Sequence, residues 1–167
     1  SGIGLDVEQF RNVLVDRKAK REKIGVPENS FVVLSVGELN KNKNHEVVIK
    51  AIAKLNNPKI HYVVCGIGPL ENYLKNLVEE KGIEEQVHLL GFRNDVADIC
   101  KASDIFAFPS LREGLGMASL EAMACGLPIV TSNVHGIVDY SIDGVTGYTN
   151  NPKDIDGFSN SISTLLE

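Results

Sequence analysis

The sequence predicts an α/β domain built on a doubly wound parallel sheet. Three observations lead there. Short apolar runs alternate with helical stripes along the chain, the runs are apolar at consecutive rather than alternate positions, and glycine or proline closes nearly every run. A strand that is apolar throughout is buried on both faces, and helices packed on both sides of a parallel sheet supply that burial. Such sheets take ligands in the crevice beyond the carboxyl ends of their strands. Residues 37–44, 66–69, 91–95 and 110–117, which follow the strand-like runs, are therefore where function is expected.

Residues 31–36 (FVVLSV) form the first strand, closed by Gly37. A helix opens at His45, with Asn44 expected as its N-cap and Val48, Ile52 and Leu55 on one stripe. Residues 60–65 (IHYVVC) give a second strand ending at Gly66 and Gly68, and Pro69 suits the first turn of the next helix. That helix carries Leu70, Leu74, Leu77 and Val78 on one stripe and stops at Gly82. Residues 87–90 form a third strand before Gly91, residues 95–102 a short helix, and residues 105–108 a fourth strand before Pro109. Residues 119–124 are helical and stopped by Gly126, and residues 128–131 form a fifth strand. Turn signals over residues 144–149 surround an edge strand. Asn151-Pro152 is expected to cap a last helix bearing Ile155, Phe158, Ile162 and Leu165. Ahead of all this, residues 11–23 hold six basic residues against two acidic ones, which reads as a solvated helix or linker. The expected organisation is a linker and lead-in helix over residues 1–30, then one binding domain over residues 31–167.

Composition bounds the function. The 167 residues suit one domain, with 43% hydrophobic and 23% charged residues in an ordinary globular balance. A net charge of −5 disfavours nucleic acid as a partner, because phosphate neutralisation calls for a basic surface. No apolar run reaches the length of a membrane span. Cys65, Cys100 and Cys125 are widely spaced, form no Cys-x-x-Cys pair and lie in apolar stretches, so they read as buried thiols. His45, His61, His88 and His135 are scattered and read as surface or packing histidines rather than metal ligands. The expectation is a domain with no metal and no bound cofactor.

Chemistry is densest in PSLREGLGMASLEAMACG, residues 109–126. A strand end, a glycine-containing loop and a helix start make an anion site from free backbone N–H groups near Gly114 to Ala118, backed by the helix dipole. Glu113 stands just before that site and Glu121 follows within the helix. Two carboxylates flanking an anion hole suit a ligand with a phosphate centre and hydroxyls on both sides, as in a nucleotide sugar. The bland alternative makes Glu121 a solvated helix residue and Glu113 an N-cap, and spacing leaves the two readings level.

The stretch from Glu113 to Glu121 resembles the Glu-x₇-Glu signature of the family 4 retaining glycosyltransferases, part of the glycosyl transferases group 1. Residues 122–130 resemble the continuation of that signature, as do His135-Gly136 and residues 143–147 (DGVTG). Upstream, residues 37–43 (GELNKNK) resemble a Gly-Arg-Leu-x-x-x-Lys loop, and residues 66–69 (GIGP) and 90–92 (LGF) also match. Any one glycine pair is a weak signal; the ordered set is strong.

The resemblance implies a two-domain GT-B architecture of facing Rossmann-like halves, with this chain as the carboxyl-terminal, donor-binding half. It implies that Glu121 bonds the ribose hydroxyls and that Glu113 contacts the transferred hexose as the catalytic carboxylate. Backbone amides of Gly114, Leu115, Gly116 and Met117 meet the diphosphate or sugar, and Lys43 holds the diphosphate. Gly37 and Gly68 belong to the donor loops, and Phe92 and Arg93 lie near the base. The implied partners are a UDP- or GDP-sugar, an amino-terminal acceptor domain, and a glycan or lipid-linked acceptor in cell-surface polysaccharide synthesis. The implied location is cytoplasmic, peripheral at the inner membrane surface in the longer protein. The family works without a bound metal. Two departures stand out: Glu38 replaces the family arginine, and Asp139 replaces a glutamate. Glu38 should weaken diphosphate binding unless it turns away or pairs with Lys41. Competing readings are a sugar-nucleotide epimerase of similar architecture and a non-catalytic nucleotide-binding module.

Overall fold

A computed structural model describes residues 16–112, 126–133 and 147–167. Helix α1 (Arg17–Ile24) leads into strand β1 (Phe31–Val36), followed by α2 (His45–Leu55), β2 (Ile60–Cys65), α3 (Glu71–Lys81) and β3 (Val87–Gly91). Then come α4 (Val96–Lys101), β4 (Ile105–Phe108), β5 (Ile129–Ser132), β6 (Gly147–Asn150) and α5 (Ile155–Leu165). The six strands form one sheet in the order β3-β2-β1-β4-β5-β6, every pair parallel. This is the doubly wound order, and its direction reverses between β1 and β4.

Strand alternation sorts the core into two layers. Val33, Ile60, Tyr62, Val64, Ile105, Ala107 and Val130 face α2, α3 and α5. Val32, Leu34, Val63, Cys65, Phe106, Phe108 and Ile129 face α1 and α4. Burial on both sides accounts for strands that read as continuous apolar runs. The two layers differ in how their helices are fastened. Helices α2 and α5 lay aliphatic and aromatic side chains on the sheet, with Ile49, Ile52, Phe158 and Ile162 fully buried.

Helix α1 is fastened by charge. Arg21 is only 4% exposed; its guanidinium donates to the carbonyls of Ala102 (2.9 Å), Glu28 (2.8 Å) and Ser30 (2.7 Å) and pairs with Asp104 (3.0 Å). Arg17 reaches Asp104 as well (3.2 Å). The basic segment expected to be solvated is thus docked through one face. A guanidinium can be buried when each of its donors meets an acceptor.

Three cap assignments also change. Asn44 precedes α2 in the left-handed region (φ 59°) and its side chain does not cap the helix. Pro69 lies ahead of the N-cap position, which is Leu70. Helix α5 is capped by Asp154, whose carboxylate accepts from the Gly157 N–H (2.9 Å), while Asn151 instead accepts from the Lys153 N–H (2.9 Å) in the preceding turn. The Asp154 carboxylate also gains from the helix dipole, which favours negative charge at a helix start. Gly82 closes α3 in the left-handed conformation as expected. The expected helix over residues 119–124 lies outside the described residues.

Candidate functional site

Doubly wound sheets place their binding crevice where strand order reverses, here beyond the carboxyl ends of β1 and β4. The chain after β1 runs through Gly37, Glu38 and Leu39 and is braced from the β2 side. Gly37 donates to the Cys65 carbonyl (2.9 Å), Leu39 donates to Ile67 (3.0 Å), and Leu70 donates back to Leu39 (2.9 Å). Gly66 and Gly68 make that brace possible. A Cβ on Gly66 would sit 2.0 Å from the Gly37 carbonyl oxygen, and one on Gly68 2.5 Å from that of Leu39. Gly68 therefore acts on the site through the loop it supports.

Lys43 ends this loop. Its stem packs over Gly37, its N–H donates to Asn40 Oδ1 (2.9 Å), and its Nζ lies 5.8 Å from the centre of the Phe108 ring at the end of β4. The ammonium thus stands over the switch point, aimed at the crevice floor. The asparagines on either side tie this loop to the segment after β4. Leu111 donates to the Asn42 carbonyl (2.7 Å), Arg112 donates to Asn42 Oδ1 (3.1 Å), and Asn42 Nδ2 donates to the Arg112 carbonyl (2.9 Å). Asn44 Nδ2 donates to the carbonyls of Pro109 (2.9 Å) and Pro152 (2.7 Å). Glu113 follows this fastened segment directly in sequence.

Beyond β1, β2 and β3 lies an open groove of about 310 Å³ lined by Gly37, Glu38, Gly66, Ile67, Phe92 and Arg93 among others. Phe92 is 77% exposed among the described residues, an unusual position for a large aromatic. Arg93 is fixed by a two-pronged pair with Asp95 (2.8 and 2.7 Å), and Lys20 of α1 joins the same carboxylate (3.0 Å). Arg93 first, and Lys20 after it, hold the Asp95 carboxyl far below the usual carboxylate range. Glu38 is exposed, and its carboxylate accepts from Asn40 Nδ2. A larger hollow, about 640 Å³, lies between α2 and α5 and mixes Lys50, Lys54, Lys81 and Lys153 with Asp154 and Asp156. There Lys54 pairs with Asp156 and Asp154 caps α5, so these groups already serve helix packing, away from the strand ends.

Of the residues singled out in the sequence, the structure gathers Gly37, Lys43, Gly68, Phe92 and Arg93 along one edge of the sheet. Glu113, Gly114, Leu115, Gly116, Met117 and Glu121 lie outside the described residues, as do His135, Asp139 and Cys125. Cys65 and Cys100 are buried, and burial pushes the Cys65 thiol up to about 11. No group of three or more metal-ligating side chains occurs among the described residues. Sequence reasoning gave Asn42 no role, and took Asn44 as a helix cap and His45 as a surface or packing residue. The signal available was the cluster of asparagines in a loop expected to be tight, since asparagine tolerates the left-handed conformation that Asn44 adopts.

The family model described as glycosyl transferases group 1 matches residues 16–167. The chain belongs to the group 1 glycosyltransferases. It is 38% identical over 172 residues to the UDP-Gal:alpha-D-GlcNAc-diphosphoundecaprenol alpha-1,3-galactosyltransferase of Escherichia coli, a match covering 98% of this chain and 44% of that protein. It is 35% identical to the D-inositol 3-phosphate glycosyltransferase of Mycobacterium marinum, covering 98% and 36%. Among solved structures, Anabaena HepE in complex with UDP-glucose superposes with a TM-score of 0.88 at 28% identity, over 96% of this chain and 45% of that one. This glycosyltransferase chain therefore spans less than half the length of these relatives. Among its described residues no helix is long and apolar enough to cross a membrane.

Proposed function

We propose that this chain is the carboxyl-terminal, donor-binding half of a retaining glycosyltransferase that takes a nucleoside diphosphate sugar, a UDP-sugar first, and serves a glycan or lipid-linked acceptor in cell-surface polysaccharide synthesis. The observation that carries the reading is the crevice itself. Lys43 stands over the switch point, and an open groove with Phe92 and Arg93 continues from it, in a fold shared with a protein solved with UDP-glucose. The lipid-linked acceptor of the Escherichia coli relative supports the acceptor class and a peripheral place at the inner membrane surface.

In this reading the base lies in the groove beside Phe92 and Arg93, and Glu121 takes the ribose hydroxyls. The diphosphate meets Lys43 and the amides of Gly114, Leu115, Gly116 and Met117, and Glu113 positions the sugar. The bond from the anomeric carbon to the β-phosphate oxygen breaks, and its electron pair leaves on the diphosphate. Lys43 and the oriented amides stabilise that growing charge more than the ground state, which lowers the barrier. The acceptor oxygen bonds to the anomeric carbon on the face the diphosphate leaves, and its proton passes to the departing phosphate oxygen. No nucleophile from this chain enters the step. Glu38, where the family carries arginine, favours a second reading as a non-catalytic nucleotide-binding module.

The test is thermal and chemical unfolding with UDP, GDP and ADP in chelator, beside a transfer assay. A diphosphate at 100 times its dissociation constant should add about 2.7 kcal/mol. The chain by itself should transfer no sugar, because orienting two reactants is worth up to about 7–11 kcal/mol and the acceptor side is supplied by another domain. No stabilisation by any diphosphate overturns the donor-site reading, and transfer by the chain by itself overturns the need for a second domain.

A further inference from the structure

His45 is 3% exposed at the first position of α2, directly beneath the loop after β1. Its Nε2 lies 3.1 Å from the Glu38 carbonyl oxygen. Its Nδ1 lies 3.4 Å from the Tyr62 hydroxyl, which donates to Ser35 Oγ (2.8 Å), and Ser35 donates in turn to the Ala107 carbonyl (2.7 Å). A buried polar chain thus runs under the switch point from β4 through β1 and β2 to the loop that carries Gly37 and Glu38. A carbonyl only accepts, so the ring must place its hydrogen on Nε2 to satisfy Glu38. Nδ1 is then bare, 3.4 Å from a Tyr62 oxygen that directs its single hydrogen to Ser35. Burial pushes His45 down to about 4, outweighing the carbonyls of Glu38 and Gly37, and nearby Lys43 adds a smaller push the same way.

We infer that His45 is a positioning residue of the donor site. As the neutral Nε2–H tautomer it pins the Glu38 carbonyl and so sets the loop through which Gly37 and Lys43 meet the diphosphate. The inference rests on the donor-site reading above. The other faces of that loop are already fixed, by the Gly66 and Gly68 backbone on one side and the Lys43 stem on the other. His45 is the support from below. The Glu38 carbonyl also accepts from the Asn40 N–H (3.0 Å); without His45 its second lone pair loses its donor, and the loop shifts to recover one.

Two isosteric variants separate this role from general stability. In H45Q the side-chain amide nitrogen reaches the position of Nε2; in H45N it reaches only the position of Nδ1. Titrating UDP calorimetrically, H45Q should bind within about threefold of the unmodified chain, and H45N should bind about tenfold more weakly, the worth of one lost buried hydrogen bond. Equal affinities in the two variants overturn the inference while leaving the donor site standing. An unmodified chain that binds no nucleoside diphosphate overturns both. Should neither variant fold, ¹⁵N-resolved spectra of the histidine rings in the unmodified chain decide the matter. The His45 ring should show a protonated Nε2 and a bare Nδ1, and its Nε2 resonance should move when UDP is added. A protonated Nδ1, or a resonance indifferent to UDP, rejects the role.

Discussion

The two faces of the sheet are fastened by different physics. On one, α2, α3 and α5 cover the strands with Ile49, Ile52, Leu74, Phe158 and Ile162, and the buried polar chain of Ser35, Tyr62 and His45 is confined to the carboxyl end of the strands. On the other, α1 and α4 are short, and the apolar contacts of Ile24, Ile99 and Cys100 are joined by a buried guanidinium and two histidines. His61 and His88 sit side by side on that second face, Nδ1 to Nε2 at 2.9 Å, brought together by the pairing of β2 with β3. A face closed by aliphatic packing tolerates changes of pH and salt. One closed by buried polar groups depends on their protonation and on complete pairing. The same fold thus has one permissive face and one exacting face.

The largest test of this contrast sets Arg21 against Ile52. Arg21→Met should lower unfolding free energy by about 3 kcal/mol, since it leaves three backbone carbonyls short of a donor at about 1 kcal/mol or more each, while Asp104 keeps Arg17 (3.2 Å) and the Val32 N–H (2.8 Å). Ile52→Val, on the aliphatic face, should cost about 0.5–1.5 kcal/mol. Denaturant titrations of both variants measure the two losses. A loss below that of Ile52→Val would mean that Arg21 contributes no more than a surface pair.

Acid should reveal the exacting face next. Burial lowers His61 and takes His88 to about 4, with its neighbour His61 as a second cause; His45, at the start of α2 on the other face, also falls to about 4 and adds to the loss. The unfolded chain titrates its histidines near 6.5, so between about 6.5 and 4 it binds protons that the fold refuses. Stability from these groups is complete above 6.5 and is lost as pH falls toward 4. From pH 7 to 5 the loss should be about 2–4 kcal/mol, and His88→Gln should remove about 1 kcal/mol of that slope. An identical pH profile in the variant would show that the His61–His88 pair does not set the acid sensitivity of this face.

This division also explains what could be read from the sequence. Periodicity reports apolar burial, so the stripes of α2 and α3 and the runs of β1 to β4 stand out, and with them the sheet edge that carries Lys43 and Phe92. Periodicity is silent on polar burial. Arg21 looks solvated because its acceptors, the carbonyls of Glu28, Ser30 and Ala102, are backbone groups with no sequence signature. His61 and His88 look scattered because only strand register joins residues 27 apart. Asn44 looks like a cap because its residue type suits one, yet two distant prolines supply better partners for its amide. The resemblance supplied roles for Glu113 and Glu121; the asparagine brace ahead of Glu113 depends on a loop contact across 70 residues.

The smallest expected effect on the fold separates both faces from function. Glu38 belongs to neither layer: it is exposed at the carboxyl edge, with Asn40 as its partner, and lines the groove with Arg93. Glu38→Arg should therefore change unfolding free energy by no more than about 0.5 kcal/mol. Its effect on ligand should be larger. A carboxylate beside a diphosphate repels it, whereas a guanidinium offers a forked donor matched to phosphate oxygens. At low salt UDP should bind about tenfold more tightly, a gain of about 1.4 kcal/mol. Because the gain is electrostatic at an exposed site, it should shrink as ionic strength rises toward physiological values, where screening acts over about 8 Å. Calorimetric titration of UDP into both proteins at two salt concentrations reads affinity and screening together. Equal dissociation constants at low salt would place the Glu38 carboxylate off the diphosphate path, with Lys43 left as the cation that meets it.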